Sequence, residues 1–174
     1  MKHYYLHLWA SGEFDAETKI IDRNIHPPKI ADLGLELSNW PEDDLFQTWP
    51  AYFASNRLCA KIENSNLTGA KCLPVNRIKG DCNFNALYPD FSPDRYFQLE
   101  FGDQVGKDDF ALYKQLYLIV SEQALVFLRN NHVTHAESDL INGTFDEYFT
   151  SEKKYFWMTE RGKAYFIAMD KKKQ

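Results

Sequence analysis

The chain has 174 residues, of which 44% are hydrophobic and 16% aromatic. That is enough to bury a core, and it excludes an intrinsically disordered chain. The formal net charge of −5 argues against general nucleic-acid binding, because affinity for the phosphate backbone comes from Lys and Arg. It favours a basic protein partner, or no charged partner at all.

In chain order, Tyr4 to Trp9 predicts an aromatic-rich first strand. Ser11 to Asp15 predicts a turn and Lys19 to Asp22 a short return strand. His26-Pro27-Pro28 should stop regular pairing, since proline has no amide donor. A polar and aromatic connection then runs from Ser38 to Pro50 and carries Trp40-Pro41 and Trp49-Pro50.

Next comes a segment that the chain uses twice. Tyr52 to Ala70 recurs without a gap as Leu118 to Ala136, matching Ser55 with Ser121, Asn64 with Asn130, Thr68 with Thr134 and Ala70 with Ala136. The pattern predicts strand, helix, strand. Each serine suits a helix N-cap, and Leu58, Cys59 and Ile62, like Ala124, Leu125 and Leu128, follow at helical spacing. Asn64 and Asn130 suit the helix exit, because Asn tolerates a left-handed conformation. Leu67 and Val133 would open the second strand of each unit, which in the first copy includes Ala70 to Val75. The alternative that Ser55 or Ser121 is a nucleophile lacks the glycines of a nucleophile elbow and a recognisable Asp and His.

Between the copies, Asn76 to Pro93 is rich in turn formers, with Tyr88 to Pro93 predicted as a loop pinned by aromatic rings. Arg95 to Phe101 alternates as a strand with Phe97, Leu99 and Phe101 on one side, and Phe110 to Val120 leads into the second copy. After it, Gly143, Phe145, Phe149 and the run Tyr155 to Met158 predict a turn and another strand, and Ala164 to Met169 a last strand. No linker divides the chain. The expectation is one α+β domain, with a mixed or largely antiparallel sheet and two pseudo-repeated strand-helix-strand units at about 50–75 and 116–140. The strand order is left open, and parallel pairing inside each unit is one possibility.

Three cysteines, Cys59, Cys72 and Cys82, are expected as free thiols in a reducing compartment. Met1 to Trp9 lacks a signal-peptide core, and no apolar run has the length of a membrane helix. The expected location is the cytoplasm. Lys171 to Lys173 is expected to be a frayed tail with no specific role.

Among candidate chemistries, His132 and His135 with Glu137 and Asp139 have residue types that bind metals, so a metal-assisted hydrolase is one reading. Against it, the helix exit should scatter these side chains over different faces, and the first copy has Asn66 and Gly69 at the matching places. Cys72 and Cys82 with a histidine lack CxxC spacing, and His3 and His7 are expected as an exposed edge pair. No phosphate-binding loop, dinucleotide fingerprint, HExxH or kinase signature occurs. No cofactor and no catalytic residue is therefore assigned. A third reading is a small-ligand-binding regulatory domain with an aromatic pocket.

Leu116 to Leu128, an apolar strand followed by Ser121-Glu122 and an apolar helix, resembles a segment of a bacterial immunity protein family of polymorphic toxin systems, formerly a domain of unknown function. Trp49-Pro50 to Leu58 and the start Met1 to Leu6 are similar to other segments of that family, and the likeness covers about half the chain. Asn76 to Pro93 has no counterpart there. The resemblance implies a cytoplasmic protein that neutralises a cognate toxin by steric occlusion, without a cofactor. Many such toxins present basic clefts, which suits an acidic inhibitor with exposed aromatic rings. The expected contact loops combine aromatic and acidic residues: Trp40 with Glu42, Asp43 and Asp44; Tyr88 to Phe91; and Asp146 with Tyr148 and Phe149.

Overall fold

The computed structural model describes residues 1–22, 29–41, 43–92 and 95–171. The His26-Pro27-Pro28 break, Pro93 and the tail from residue 172 lie outside the described residues. The chain opens with β1 (His3–His7) and a peripheral group of short strands, β2 (Gly12–Phe14), β3 (Lys19–Asp22), β4 (Lys29–Asp32) and β5 (Gly34–Leu37). The first copy is β6 (Leu45–Thr48), β7 (Ala51–Ser55), α1 (Asn56–Glu63) and β8 (Ala70–Pro74). β9 (Arg77–Gly80), α2 (Cys82–Leu87) and β10 (Tyr96–Phe101) lead to the second, β11 (Phe110–Tyr113), β12 (Tyr117–Ser121), α3 (Glu122–Asn130) and β13 (Glu137–Leu140). α4 (Phe145–Thr150), a 3-10 turn (Glu152–Tyr155) and α5 (Glu160–Lys171) follow.

Both repeat serines cap helices. Ser55 Oγ accepts from the Leu58 amide at 3.1 Å, and Ser121 Oγ from the Ala124 amide at 3.0 Å. Each such cap contributes about 1 kcal/mol. Ser121 is fully buried and also donates to Asp109 at 2.5 Å, so its hydroxyl is fully engaged. The helix exits differ from the expected left-handed asparagines. Asn64 caps α1 with φ −90°, and Asn131, not Asn130, caps α3 with φ −120°. Their side-chain amides donate back to the helix at Ala60 O and Phe127 O, which closes each terminal turn without a left-handed residue. The left-handed position is His132, with φ 64°.

The two strands of each repeat unit run parallel but do not touch, because an antiparallel strand from elsewhere in the chain lies between them. In the first unit β10 fits between β7 and β8, pairing Tyr96 with Ser55 and Leu99 with Cys72. In the second, β1 fits between β12 and β13, pairing His3 with Ser121 and Leu6 with Ser138. The sheet orders β6-β7-β10-β8 and β11-β12-β1-β13 therefore correspond strand for strand. A parallel bridge joins the end of each inserted strand to the outer strand of the other sheet: Ala10 with Gln47, and Gly102 with Ala111. The architecture is α+β and largely antiparallel, with β5 and β9 pairing in parallel in a smaller third sheet.

The apolar runs before the serines are explained by burial on both strand faces. In β7, Tyr52 and Ala54 face a core shared by the two sheets and by α1 and α3, while Ala51 and Phe53 face a second core with Leu35, Leu37, Phe46 and Phe84. In β12, Leu118 and Val120 face the shared core, and Ile119 faces a third one with Tyr5, Tyr148 and Phe149. Leu67 and Val133 pack as loop residues ahead of their strands.

Several expectations are corrected. Ser11 to Asp15 contains β2, and Leu45 to Thr48, read as connection, is the outer strand of the first unit. Phe145 and Phe149 lie in α4 (Phe145–Thr150), which is started by a capping box between Thr144 and Glu147. Tyr155 to Met158 is a 3-10 turn and bend, and Ala164 to Met169 lies inside α5. There the Thr159 hydroxyl accepts from the Gly162 amide at 3.3 Å, an N-terminal anchor that a strand would not use. Cys59 and Cys72 are joined as a disulfide, with Cα atoms 6.0 Å apart, because α1 packs its inner face on β8; Cys82 alone is free. The expectation of three free thiols is thus corrected to one disulfide and one free thiol. No helix of the described residues is long and apolar enough to cross a membrane.

Candidate functional site

Asp43 is the centre of the candidate site. Its carboxylate accepts from the backbone amides of Thr134 at 2.7 Å, His135 at 3.0 Å and Ala136 at 2.7 Å, and lies 3.1 Å from His135 Nδ1. The side chain is only 6% exposed. Continuing the repeat register upstream places Asp109 opposite Asp43, and Asp109 accepts from the Thr68 amide at 3.0 Å. Thr68 is the counterpart of Thr134. Each copy thus extends one aspartate to hold the loop that follows the other copy's helix. Identical acidic residues at equivalent upstream positions were the sequence signal for these clamps.

The neighbouring Asp44 accepts from Arg57 Nε at 3.0 Å and Nη2 at 2.6 Å. Of the expected acidic contacts, Asp43 and Asp44 are thus engaged internally, and Glu42 lies outside the described residues. Asp43 in particular is corrected from a partner contact to a buried clamp, because a carboxylate surrounded by amide donors is already satisfied.

Two loops read separately come together here. The Trp40 ring stacks on Phe84 at 6.0 Å and lies 4.9 Å from Tyr88 and 6.3 Å from Phe91. Next to this aromatic group is a cleft of about 560 Å³ whose walls include Trp40, Arg57, Arg95, Tyr96 and His132. Arg95 makes no ion pair among the described residues. Across the Asp43 clamp lies a second hollow of about 340 Å³, bounded by Trp9, Asn39, Phe46 and His135. Trp9 is 51% exposed and Tyr88 36%. Asp43 lines both hollows, and the saddle around it has Trp40 on the side of the first and Trp9 on the side of the second.

Beyond Trp9 the surface continues into a ring stack. The His7 imidazole stacks on the Trp157 ring with centroids 3.8 Å apart and planes parallel to within 3°, and meets Trp9 in a T-shaped contact at 5.7 Å. His7 is buried, not the exposed edge residue expected, and burial pushes its pKa down to about 4. Trp9, Trp157 and Arg95 carry no local sequence signal for this site, since the approach of β1 to β6 and β13 depends on long-range pairing.

The third expected contact loop lies apart from the saddle. Tyr148 is 1% exposed and belongs to the third core, where its hydroxyl donates to Asp139 at 2.7 Å and burial raises its pKa. It is corrected from a contact residue to a core residue. Asp146 is exposed and accepts from Tyr113 and from Lys114 Nζ, contacts that hold its carboxyl below the ordinary value. His132 and His135 point into different hollows, and Asp139 is engaged by Tyr148. Among the described residues no three His, Cys, Asp or Glu side chains are grouped to hold a metal ion.

No protein-family model, no curated protein and no solved structure matches the chain at a significant level.

Proposed function

We propose that this protein acts as an immunity protein in the cytoplasm of the cell that makes it, binding a toxin domain and covering its active site or an essential surface. The observation that carries the reading is the saddle. Two aromatic loops distant in sequence and the histidines unique to the second copy converge on Asp43, leaving Trp9, Tyr88, Arg95 and His132 at an open surface. Trp, Tyr and Arg are the residue types that dominate protein–protein binding energy, and a rigid backbone beneath them limits the entropy lost on docking. The net charge of −5 steers a basic partner from a distance. Contact at short range is made by rings and Arg95, since Asp43 and Asp44 are engaged within the fold.

The test is co-expression with the product of the neighbouring upstream gene. If that product is toxic alone, the protein should restore growth and co-purify with it. Arg95→Glu and Trp9→Ala should each weaken the complex about 30-fold or more while leaving the thermal midpoint nearly unchanged. Equal killing with and without the protein, or a harmless upstream product, would falsify the proposal. The small-ligand reading has one observation in its favour, the 340 Å³ hollow lined by Trp9, Leu45 and Phe46. A thermal-shift screen addresses it, since a ligand of the native state raises the midpoint.

A further inference from the structure

The two copies fasten their helices to their second strands by different chemistry. In the second copy Arg129 does this: its guanidinium donates from the end of α3 to Val133 O at 2.8 Å, to Ala136 O and to Ser138 Oγ. The first copy has Glu63 at the position of Arg129, and Glu63 is exposed. There the Cys59–Cys72 disulfide joins α1 to β8 instead. The matching positions of the second copy hold Leu125 and Ser138, and the sheet registers agree, since Cys72 lies opposite Leu99 as Ser138 lies opposite Leu6. The fold therefore accommodates non-cysteine residues at both places, and only the first copy has a covalent fastening.

What the disulfide fastens matters for the saddle. The first residues of α1, Asn56 and Arg57, form a wall of the 560 Å³ cleft. We infer that the Cys59–Cys72 bond is a redox-sensitive latch, and that its reduction loosens α1 and with it this wall. Cys72 is the accessible member, being half-buried, whereas Cys59 is 3% exposed. A thiolate of a cellular dithiol attacks Cys72 Sγ and displaces Cys59, which takes up a proton. The reductant's second thiolate then attacks the mixed disulfide, releases Cys72 as a thiol after protonation, and closes the reductant's own disulfide. Two electrons pass from the dithiol to the protein. Reoxidation by a disulfide of the glutathione type reverses the balance. The closed segment spans a sequence separation of 13, so opening it returns conformational freedom to the 64–69 loop and to α1 from Cys59 onward, whose first turn is Asn56 and Arg57.

The latch makes a prediction that does not depend on the identity of any partner. Amide hydrogen exchange of the full chain is followed by mass spectrometry with and without dithiothreitol, with thiols titrated in parallel. The oxidised protein should show one reactive thiol, from Cys82, and comparable protection of α1 and α3. Reduction should yield three thiols and speed exchange in residues 56–63 by about tenfold or more, with little change in residues 122–130. The variant C59L/C72S, which copies Leu125 and Ser138, should show α1 exchange that ignores the reductant. Three thiols in the air-oxidised, denatured protein would overturn the inference. So would full reduction with unchanged exchange in α1, a result that stands even if the variant fails to fold.

Discussion

Asp43→Ala should lower the free energy of unfolding by about 3–5 kcal/mol. The substitution removes the acceptor for three backbone amides in the 134–136 segment. Ala136 is buried and Thr134 and His135 are exposed, so water replaces some of the lost bonds and the Ala136 amide bears most of the cost. The lost clamp also frees the loop that carries His132 and His135. In a chain of this size the midpoint of thermal unfolding should fall by roughly 10 °C. Asp43→Asn keeps one acceptor oxygen and should lose about half as much. Asp44→Ala breaks a pair with the largely exposed Arg57 and should cost no more than about 1 kcal/mol. Urea unfolding of the three variants checks the ranking. An Asp43→Ala protein within 1 kcal/mol of the parent, with an unchanged denaturant slope, would remove Asp43 as the organising residue of the saddle.

Asp109→Ala provides an internal comparison. Asp109 accepts from the Thr68 amide and Ser121 Oγ, but it is half-buried, whereas Asp43 is nearly enclosed. Its loss should therefore cost less than that of Asp43, about 2 kcal/mol.

These clamps mark how far the sequence could be read. Features set by neighbours along the chain were legible. Ser55 and Ser121 start helices because a hydroxyl before an apolar helical stripe reaches an amide three residues on, and both do so here. The alternation in Arg95 to Phe101 was legible for the same reason, with Phe97, Leu99 and Phe101 packing into one core. Features set by partners distant in sequence were hidden. Nothing in the strand-helix-strand pattern says that β1 and β10 will insert between its two strands, since an inserted and a direct pairing bury the same faces. Asp43 and Asp44 looked like partner-contact charges because their donors lie in the 134–136 segment and at Arg57. Tyr148 looked like an interface ring because the third core is assembled from β1, β12 and α4 together. α5 was misread because Tyr165, Phe166 and Ile167 favour strands locally. Among the described residues no strand pairs with that segment, and Phe166 packs from the helix against Tyr155.

His7 gives the second large effect, and its sign follows from burial. The folded protein holds this imidazole at a pKa of about 4, against an ordinary 6.5. Between those values the unfolded chain binds a proton that the folded chain refuses, so stability falls as pH falls. The contribution is intact above about pH 6.5 and is lost progressively towards pH 4, reaching on the order of 3 kcal/mol, with about 2 kcal/mol gone by pH 5. The groups against His7 are the Trp157 face, the Trp9 edge and Glu137, its register partner on β13. His3 is also pushed down by burial and by the N-terminal amine, and adds in the same direction. Asp15, Asp146 and Glu147 are held below the ordinary carboxylate value by Arg77, by Tyr113 with Lys114 and by Thr144. Their stabilisation starts to go only near their ordinary values of 3.8 and 4.5, which leaves the window above about pH 5 to the histidines. His7→Phe keeps a ring against Trp157 and removes the titration. Urea unfolding at pH 7.5 and pH 5 should show a loss of about 2 kcal/mol or more for the parent and a clearly smaller loss for the variant. Equal losses in the two proteins would mean that His7 does not carry the effect. Because Trp9 flanks both His7 and the hollow beside Asp43, acid should loosen the saddle at this end first, and Trp9→Ala should make His7 easier to protonate by opening its ring stack to water.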